Sequence, residues 1–336
     1  MKKIIIFLII LLLCVFIFSL FLGKYPISIE EFYNYLLFKL FDVEVSNEEK
    51  MLMIDNIITN IRLPRIIAAV LIGAAYAVSG ACFQAMFINP LVSPGILGVL
   101  SGAAFGAAFA IAFFDSWYLT QLFSFTFGVF AVIFAVLITY IYKDRTNSTL
   151  LLILGGIISG SFFSTLLSIV KYTADPYDKL PSIVYWLMGS LSFVELDEII
   201  LFLIPMSLGI IGLLFMSKYL NVLSFGDQEA QSLGVNTKLI RIVVILLATM
   251  ISALSVSIGG MIGWIGLIIP HFARLIVGPN NTILLPVTAL MGAIFLLVVD
   301  NSSRLLFDVE IPIGILTSLI GIPIFILALK NSKKAL

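Results

Sequence analysis

The sequence predicts an all-α protein that crosses a membrane about ten times. Apolar residues make up 61% of the 336 positions and charged residues only 11%, whereas soluble domains carry about 25% charged residues. Apolar runs of about 20 residues recur along the whole length, and such a run can cross the hydrocarbon core as a helix. Polar and apolar residues do not alternate within these runs, which disfavours membrane β-strands. We therefore expect one transmembrane domain over residues 1–336.

The apolar runs and their breaks define the expected helices. The first run is longer than a signal-peptide core and has no A-x-A-like cleavage site behind it, so we expect a retained span. Ser28-Ile-Glu-Glu31 has the form of a capping box that opens a short interfacial helix. A short aromatic helix is expected around Tyr185-Trp186, between the fifth and sixth spans. The expected spans cover about residues 4–22, 62–86, 95–113, 120–142, 150–170, 199–216, 242–258, 261–270, 283–299 and 313–329.

The eighth run, Met261 to Pro270, is too short for a full crossing at about 1.5 Å per residue. We expect it to form a short or partly re-entrant span that lines protein rather than lipid and ends near Pro270-His271.

Ten crossings place both termini on one side of the membrane. The basic residues at the two ends and in one connecting turn indicate that this side is the cytoplasm. These residues are Lys2, Lys3, Lys143, Arg145, Lys330, Lys333 and Lys334. We therefore expect a multi-pass protein of the cytoplasmic (inner) membrane.

Hydroxyl side chains form two stripes at helical spacing, and these are the candidate translocation path. Ser161, Thr165 and Ser168 share one face of the fifth span, and Ser252 and Ser255 share a face of the seventh. They either line a wet path or form hydrogen bonds between helices. No ionisable residue lies near the middle of an expected span, which disfavours an ion-coupled secondary transporter.

The sequence offers no chemistry of its own for an enzyme. It has no GxxxxGK[ST] motif for nucleotide, and its one His has no cluster of other ligands around it in the sequence. Cys14 and Cys82 lie within apolar runs, as small core residues do. A net charge of zero gives no general attraction for nucleic acid. We therefore expect a transport protein without catalytic, metal or cofactor residues.

Residues 217–241 are the one long polar stretch in the C-terminal half, and we expect them to form a cytoplasmic loop. Asp227 and Glu229 would suit the positive end of a short helix, and Gly234 is placed to end that helix with a positive φ. Two short helices joined by glycine could pass a push from another protein into the sixth and seventh spans.

Three arginines, Arg62, Arg65 and Arg304, fall at the expected outer ends of spans. They either reach lipid phosphates or form a docking surface for an acidic partner, since the guanidinium fork suits carboxylates.

Five blocks in fixed order resemble the permeases of type II ABC importers, the FecCD-like group that transports iron–siderophore complexes, haem or cobalamin. Each block alone is weak, but the ordered set is specific and covers most of the chain. Two departures, Trp264 where Phe is commoner and Ser303 where Ala is usual, leave the resemblance intact. The blocks are Arg62-Leu-Pro-Arg65, Asn89-Pro-Leu-Val-Ser-Pro-Gly-Ile-Leu-Gly98, Gly226-Asp-Gln-Glu-Ala-Gln-Ser-Leu-Gly-Val235, Gly263-Trp-Ile-Gly-Leu-Ile-Ile-Pro-His271, and Ile311-Pro-Ile-Gly314 with Gly321-Ile-Pro323.

The resemblance implies ten spans, a homo- or heterodimer around the path, an external substrate-binding protein, and cytoplasmic ATPase subunits that bind ATP and Mg. Arg62, Arg65 and Arg304 would dock the binding protein. The cargo implied first is an iron–siderophore complex, and haem, cobalamin or an oxyanion could take its place. The residues implied to contact the ATPase are Gly226, Asp227, Glu229, Ala230, Ser232, Leu233 and Gly234.

Overall fold

The computed structural model describes residues 2–41, 47–142 and 148–332, and every regular element within these ranges is helical. A π-helical turn, Ile57–Arg62, joins α3 to α4, and a 3-10 turn, Pro94–Leu97, precedes α5. The helices are α1 Lys2–Phe21, α2 Ile29–Phe41, α3 Glu48–Asn56, α4 Leu63–Phe87, α5 Val99–Phe113, α6 Trp117–Ile141, α7 Ser148–Thr173, α8 Lys179–Met188, α9 Leu196–Phe215, α10 Ser217–Leu223, α11 Asp227–Ser232, α12 Thr237–Gly259, α13 Ile265–Val277, α14 Asn281–Leu305 and α15 Ile313–Ser332.

The described helices confirm a polytopic membrane fold of about ten spans. Seven are long and apolar enough to cross a bilayer: α1, the continuous α3–α4 helix, α6, α7, α9, α12 and α14. Three more, α5, α13 and α15, are shorter apolar helices. The expected basic turn at 143–145 and the terminal residues 333–334 lie outside the described residues.

The helix that carries the second span begins earlier than the sequence indicates. It starts at Glu48, where the Asn47 side chain accepts a hydrogen bond from the backbone N–H of Lys50 at 3.0 Å. Its polar first turns pack beside α2, and Lys50 pairs with Glu31 at 2.6 Å. Lys50 and the backbone N–H of Ser28 lower the pKa of Glu31 to about 2. The acidic composition of this segment hid the helix from hydropathy.

α4 lies at the centre of the bundle and packs against α14, α12, α13 and α9. Its backbone touches α14 where Gly73 faces Gly292: a Cβ on Gly73 would lie 2.3 Å from the Gly292 carbonyl oxygen. Two turns further along, a Cβ on Gly80 would lie 1.9 Å from the carbonyl oxygen of Gly266 in α13. Small residues are what permit such close helix packing in lipid.

The expectation for the eighth span is wrong in its bounds. The helix α13 starts only at Ile265 and continues through Pro270 and His271 to Val277. Pro270 lacks the N–H that would bond the Gly266 carbonyl. The Gln84 side chain of α4 donates to that carbonyl instead, at 3.4 Å, so the helix tolerates the proline.

Both described ends of the chain point to the same side of the bundle. α1 runs parallel to α14, since Leu8 packs with Leu284 and Ser19 accepts a hydrogen bond from Asn301 at 2.7 Å. α15 starts beside Gly189 and runs back in the opposite direction, with Phe325 next to Trp264 of the α12–α13 connection. We call the side with α10 and α11 the loop side, and the opposite side the arginine side.

The contact between α4 and α13 gives a direct stability test. Gly80→Ala would force a methyl group into the Gly266 backbone, and we expect it to destabilise the protein by about 1–3 kcal/mol. Gly263→Ala is the control because nothing lies within 4 Å of its added Cβ. Thermal unfolding in detergent measures both, and equal midpoints for the two variants would contradict the close contact.

Candidate functional site

On the loop side, α10 and α11 form the two short helices that the sequence predicts. Gly226 precedes α11 with φ +102° and Gly234 follows it with φ +79°, which confirms the predicted helix end. Backbone N–H groups of Gly234 and Val235 close the turn on the carbonyls of Gln231 and Ala230 at 2.9 and 3.0 Å. The helix is thus defined sharply at both ends by glycine.

The residues expected to contact an ATPase divide into an exposed face and an anchor. Ala230 is fully buried and seats α11 on the bundle. Glu229, Ser232, Leu233 and Gly234 are exposed.

The same surface also has an apolar part, of which Leu233 was predicted from the sequence and Phe225 was not. Phe225, directly before α11, is 67% exposed, and Leu233, directly after it, is 65% exposed. Exposed apolar side chains flanked by polar ones are typical of protein contact surfaces. Phe225 lies within a polar stretch of sequence, so its ring was not predicted to belong to the contact surface.

α10 and α11 are fastened to two membrane helices by side chains. Arg241 of α12 donates two hydrogen bonds to the Asp227 carboxylate, at 2.8 and 2.9 Å. Asn221 of α10 donates to Asn280 and accepts from the backbone N–H of Asn281, both at 2.8 Å, at the start of α14. A displacement of α10 and α11 therefore acts on α12 and α14 directly.

The first stripe of the predicted path is open to the outside of this chain. Ser161, Thr165 and Ser168 are all exposed on α7. The Thr165 hydroxyl donates to the Ser161 carbonyl and that of Ser168 to the Ser164 carbonyl, each at 2.9 Å. Their oxygen lone pairs remain available to whatever covers this face.

The second stripe requires a correction. Ser252 and Ser255 are fully buried, so they do not line an open surface in this structure. Ser252 donates to Ser79 of α4 at 3.2 Å, and Ser255 donates to the Ile251 carbonyl at 2.7 Å. They serve the second role that the sequence left open, hydrogen bonding within and between packed helices.

The arginine side holds a cluster of five charged side chains, which we call the arginine cluster: Arg62, Arg65, Asp300, Arg304 and Glu310. The Arg65 guanidinium bonds Asp300 through Nε and Glu310 through one terminal nitrogen, each at 2.8 Å. Asp300 also lies 3.3 Å from Nε of Arg304.

The guanidinium groups of Arg62 and Arg304 also donate hydrogen bonds to neutral groups nearby. Arg62 donates to the backbone carbonyls of Leu20 in the last turn of α1 and of Tyr25 in the segment that follows it. Arg304 donates to the Asn301 side chain and, at 3.3 Å, to the Leu22 carbonyl. These bonds join the first span to the cluster.

The three arginines do not form the exposed surface that the sequence predicts. Arg62, Arg65 and Arg304 are all buried, and only Glu310 is partly open, with 30% of its side chain exposed. The counter-charges explain the burial, because Asp300 lies inside α14, one residue past the expected end of the ninth span. Burial alone would raise the pKa of Glu310, but the charge of Arg65 and hydrogen bonds from Ser192 and Arg65 hold it below its usual range.

An aromatic cavity lies next to the cluster on the arginine side. It has a volume of about 570 Å³ and its lining includes Trp117, Tyr185 and Phe193. The Phe193 ring stands edge-on to both other rings, at centroid distances of 6.1 Å from Trp117 and 6.0 Å from Tyr185. Ser192, the neighbour of Phe193, donates to Glu310 at 2.7 Å, so cavity and cluster share one segment.

The bundle of apolar helices, with a pair of fastened short helices on one side, defines a membrane permease of the ABC-importer kind. The chain belongs to the FecCD transport family, which matches residues 10–331. Among the described residues, no group of three His, Cys, Asp or Glu side chains is placed to hold a metal ion.

Relatives cover nearly the whole chain. It is 42% identical to the molybdate import system permease protein MolB of Haemophilus influenzae, over 96% of this chain and 94% of that one. It is 39% identical to a protein of Helicobacter pylori named "Probable iron chelatin transport system permease protein", over 83% and 84% of the two chains. A solved ABC transporter chain assigned to the metal-chelate type, in an inward-facing conformation, superposes with a TM-score of 0.85 at 39% identity and covers 98% of this chain and 100% of that one.

The arginine cluster gives a second stability prediction. Asp300→Ala leaves Arg65 and Arg304 buried with one counter-charge fewer, and we expect a loss of about 3–5 kcal/mol. Asp115→Ala removes the partner of Lys179 from an exposed pair and should change stability little. Thermal unfolding in detergent compares the two, and a mild effect of Asp300→Ala would show that the cluster is hydrated.

Proposed function

We propose that the chain is the permease subunit of an importer for iron–siderophore complexes, powered by ATPase subunits that bind at α11. The observation that supports this proposal most directly is that α11 has an exposed face and is bonded to membrane helices. Asp227 of α11 bonds α12, and Asn221 of the adjoining α10 bonds the start of α14. A partner that moves α11 therefore moves membrane helices. The role of this surface is mechanical, and the ATP and Mg sites belong to the partner subunits.

In this proposal the loop side faces the cytoplasm. Lys2 and Lys3 open α1 on that side, in keeping with the preference of basic residues for the cytoplasmic face of the inner membrane. The arginine side then faces outward and receives the substrate-binding protein.

A second permease subunit, identical or paralogous, would cover the exposed stripe of Ser161, Thr165 and Ser168 on α7. Two such stripes facing each other would give a path with hydroxyl groups and no charge from these positions. Weak, uncharged contacts suit a bulky cargo that has to be released again.

The cargo is the finer part of the proposal. The iron-chelate relative and the metal-chelate type of the solved structure favour a ferric chelate. A second candidate is an oxyanion, favoured by the 42% identity to the molybdate permease over almost the full length. Haem and cobalamin, which the sequence resemblance also implies, complete the set of candidate cargoes.

A ligand screen separates these cargoes. The binding protein that supports uptake through this permease is titrated with ferric siderophores, haem, cobalamin and molybdate, and we expect tightest binding for a ferric siderophore. Tightest binding of molybdate would select the oxyanion importer. Co-purification tests the broader claim, since a permease that retains no ATPase subunit in mild detergent would contradict it.

The contact surface is tested by two matched glycine variants. Gly234→Trp places a large side chain on the α11 surface, and we expect a folded, inserted protein whose ATP-driven uptake falls at least about tenfold. Gly278→Trp is the control, because Gly278 also has φ +79° and open space around it on the loop side. Uptake in membrane vesicles and a fluorescence profile of folding measure both. Equal uptake by the two variants would contradict the assignment of the surface.

A further inference from the structure

The arginine cluster carries one more positive than negative charge. It contains three guanidinium groups, from Arg62, Arg65 and Arg304, and two carboxylates, from Asp300 and Glu310, which pair with Arg65 and Arg304. Asp300 is fully buried between two of the arginines and cannot be reached from outside. A further carboxylate can enter only where the cluster opens to solvent, and Glu310 occupies that opening.

The three arginines differ in the kind of partner that they bind. Arg62 bonds backbone carbonyls of Leu20 and Tyr25, and Arg304 bonds Asn301 one turn away in its own helix. None of these partners is a carboxylate, because they are main-chain carbonyl oxygens and a side-chain amide. Arg65 alone bonds a carboxylate that comes from a connecting segment, because Glu310 lies between α14 and α15.

Glu310 is held in place by few contacts. Its carboxylate accepts from Arg65 at 2.8 Å and from the Ser192 hydroxyl at 2.7 Å, through the same oxygen. Nearly a third of the side chain is exposed, at 30%, whereas Asp300 is at 0%. Water can therefore solvate Glu310 as soon as it leaves Arg65, so its release meets a small desolvation barrier.

We propose that Glu310 is an internal substitute for a partner's carboxylate, and that an acidic side chain of the substrate-binding protein replaces it on Arg65 when the two proteins dock. This inference rests on the proposed function and narrows it. Of the three arginines, Arg65 is the one that exchanges its partner, while Arg62 and Arg304 hold the site in shape.

The exchange keeps the buried guanidinium of Arg65 paired at every stage, which avoids the large penalty for an uncompensated buried charge. It also releases the Ser192 hydroxyl from Glu310. Ser192 adjoins Phe193, which lines the aromatic cavity, so the exchange removes one contact of the segment that borders this cavity.

The test uses the complete permease–ATPase complex in nanodiscs and the binding protein that supports its uptake. Glu310→Gln preserves the shape of the side chain and its contact with Ser192 but removes the competing charge. We expect the binding protein to associate about threefold to tenfold more tightly, mainly through slower dissociation. Glu31→Gln is the control, since Glu31 forms an ion pair with Lys50 outside the cluster, and it should leave affinity unchanged.

Ser192→Ala provides an independent arm, because it removes the second contact of Glu310 without touching a charge. We expect a smaller tightening of docking, and no further gain when it is combined with Glu310→Gln, since both act on the same exchange. Unchanged or weaker docking of Glu310→Gln, with normal docking of the parent complex, would overturn this inference alone. A parent complex that binds no such protein would overturn the proposed function together with it.

Discussion

The structure depends on how closely α4 approaches its neighbours. Gly73 meets the backbone of α14 and Gly80 meets the backbone of α13, so three helices share contacts that leave no space for a side chain. This packing fixes the relative height of the helices in the membrane. It brings Arg65 level with Asp300 at one end and Gln84 level with Gly266 at the other. The polar contacts depend on the glycine contacts. Each polar contact joins residues that are far apart in the chain, and these residues meet only because the helices pack so closely.

Asp300 shows how the polar contacts in turn stabilise the packing. A carboxylate inside a membrane helix is unfavourable unless it is paired and hydrogen bonded. Arg65 and Arg304 provide that pairing from α4 and from the next turn of α14. The cluster thereby joins α4, α14 and, through Arg62, the end of α1 at one membrane side. On the loop side, hydrogen bonds of Asp227 and Asn221 join α10 and α11 to α12 and α14. The helix α14 therefore takes part in polar contacts on both sides of the bundle.

The sequence predicts where the helices lie in the chain better than it predicts which of their side chains are buried. Hydropathy locates about ten spans, and the Gly234 pattern predicts the end of α11 and its positive φ. The same methods place Arg65 near the end of a span but do not predict its burial, because Glu310 lies 245 positions away in the chain. Ser252 likewise looks like a path residue until Ser79 is known to face it. Local patterns report local structure, whereas burial depends on partners that only the fold brings together.

Gln84 makes α13 inseparable from α4. Its amide donates to the carbonyl that Pro270 leaves open, and its oxygen accepts from Arg274 of the same helix. A helix that depends on a foreign side chain to complete its own hydrogen bonding cannot slide along that neighbour. Any conformational cycle of this protein must therefore carry α13 and α4 as one rigid body, and the relative motion has to occur elsewhere.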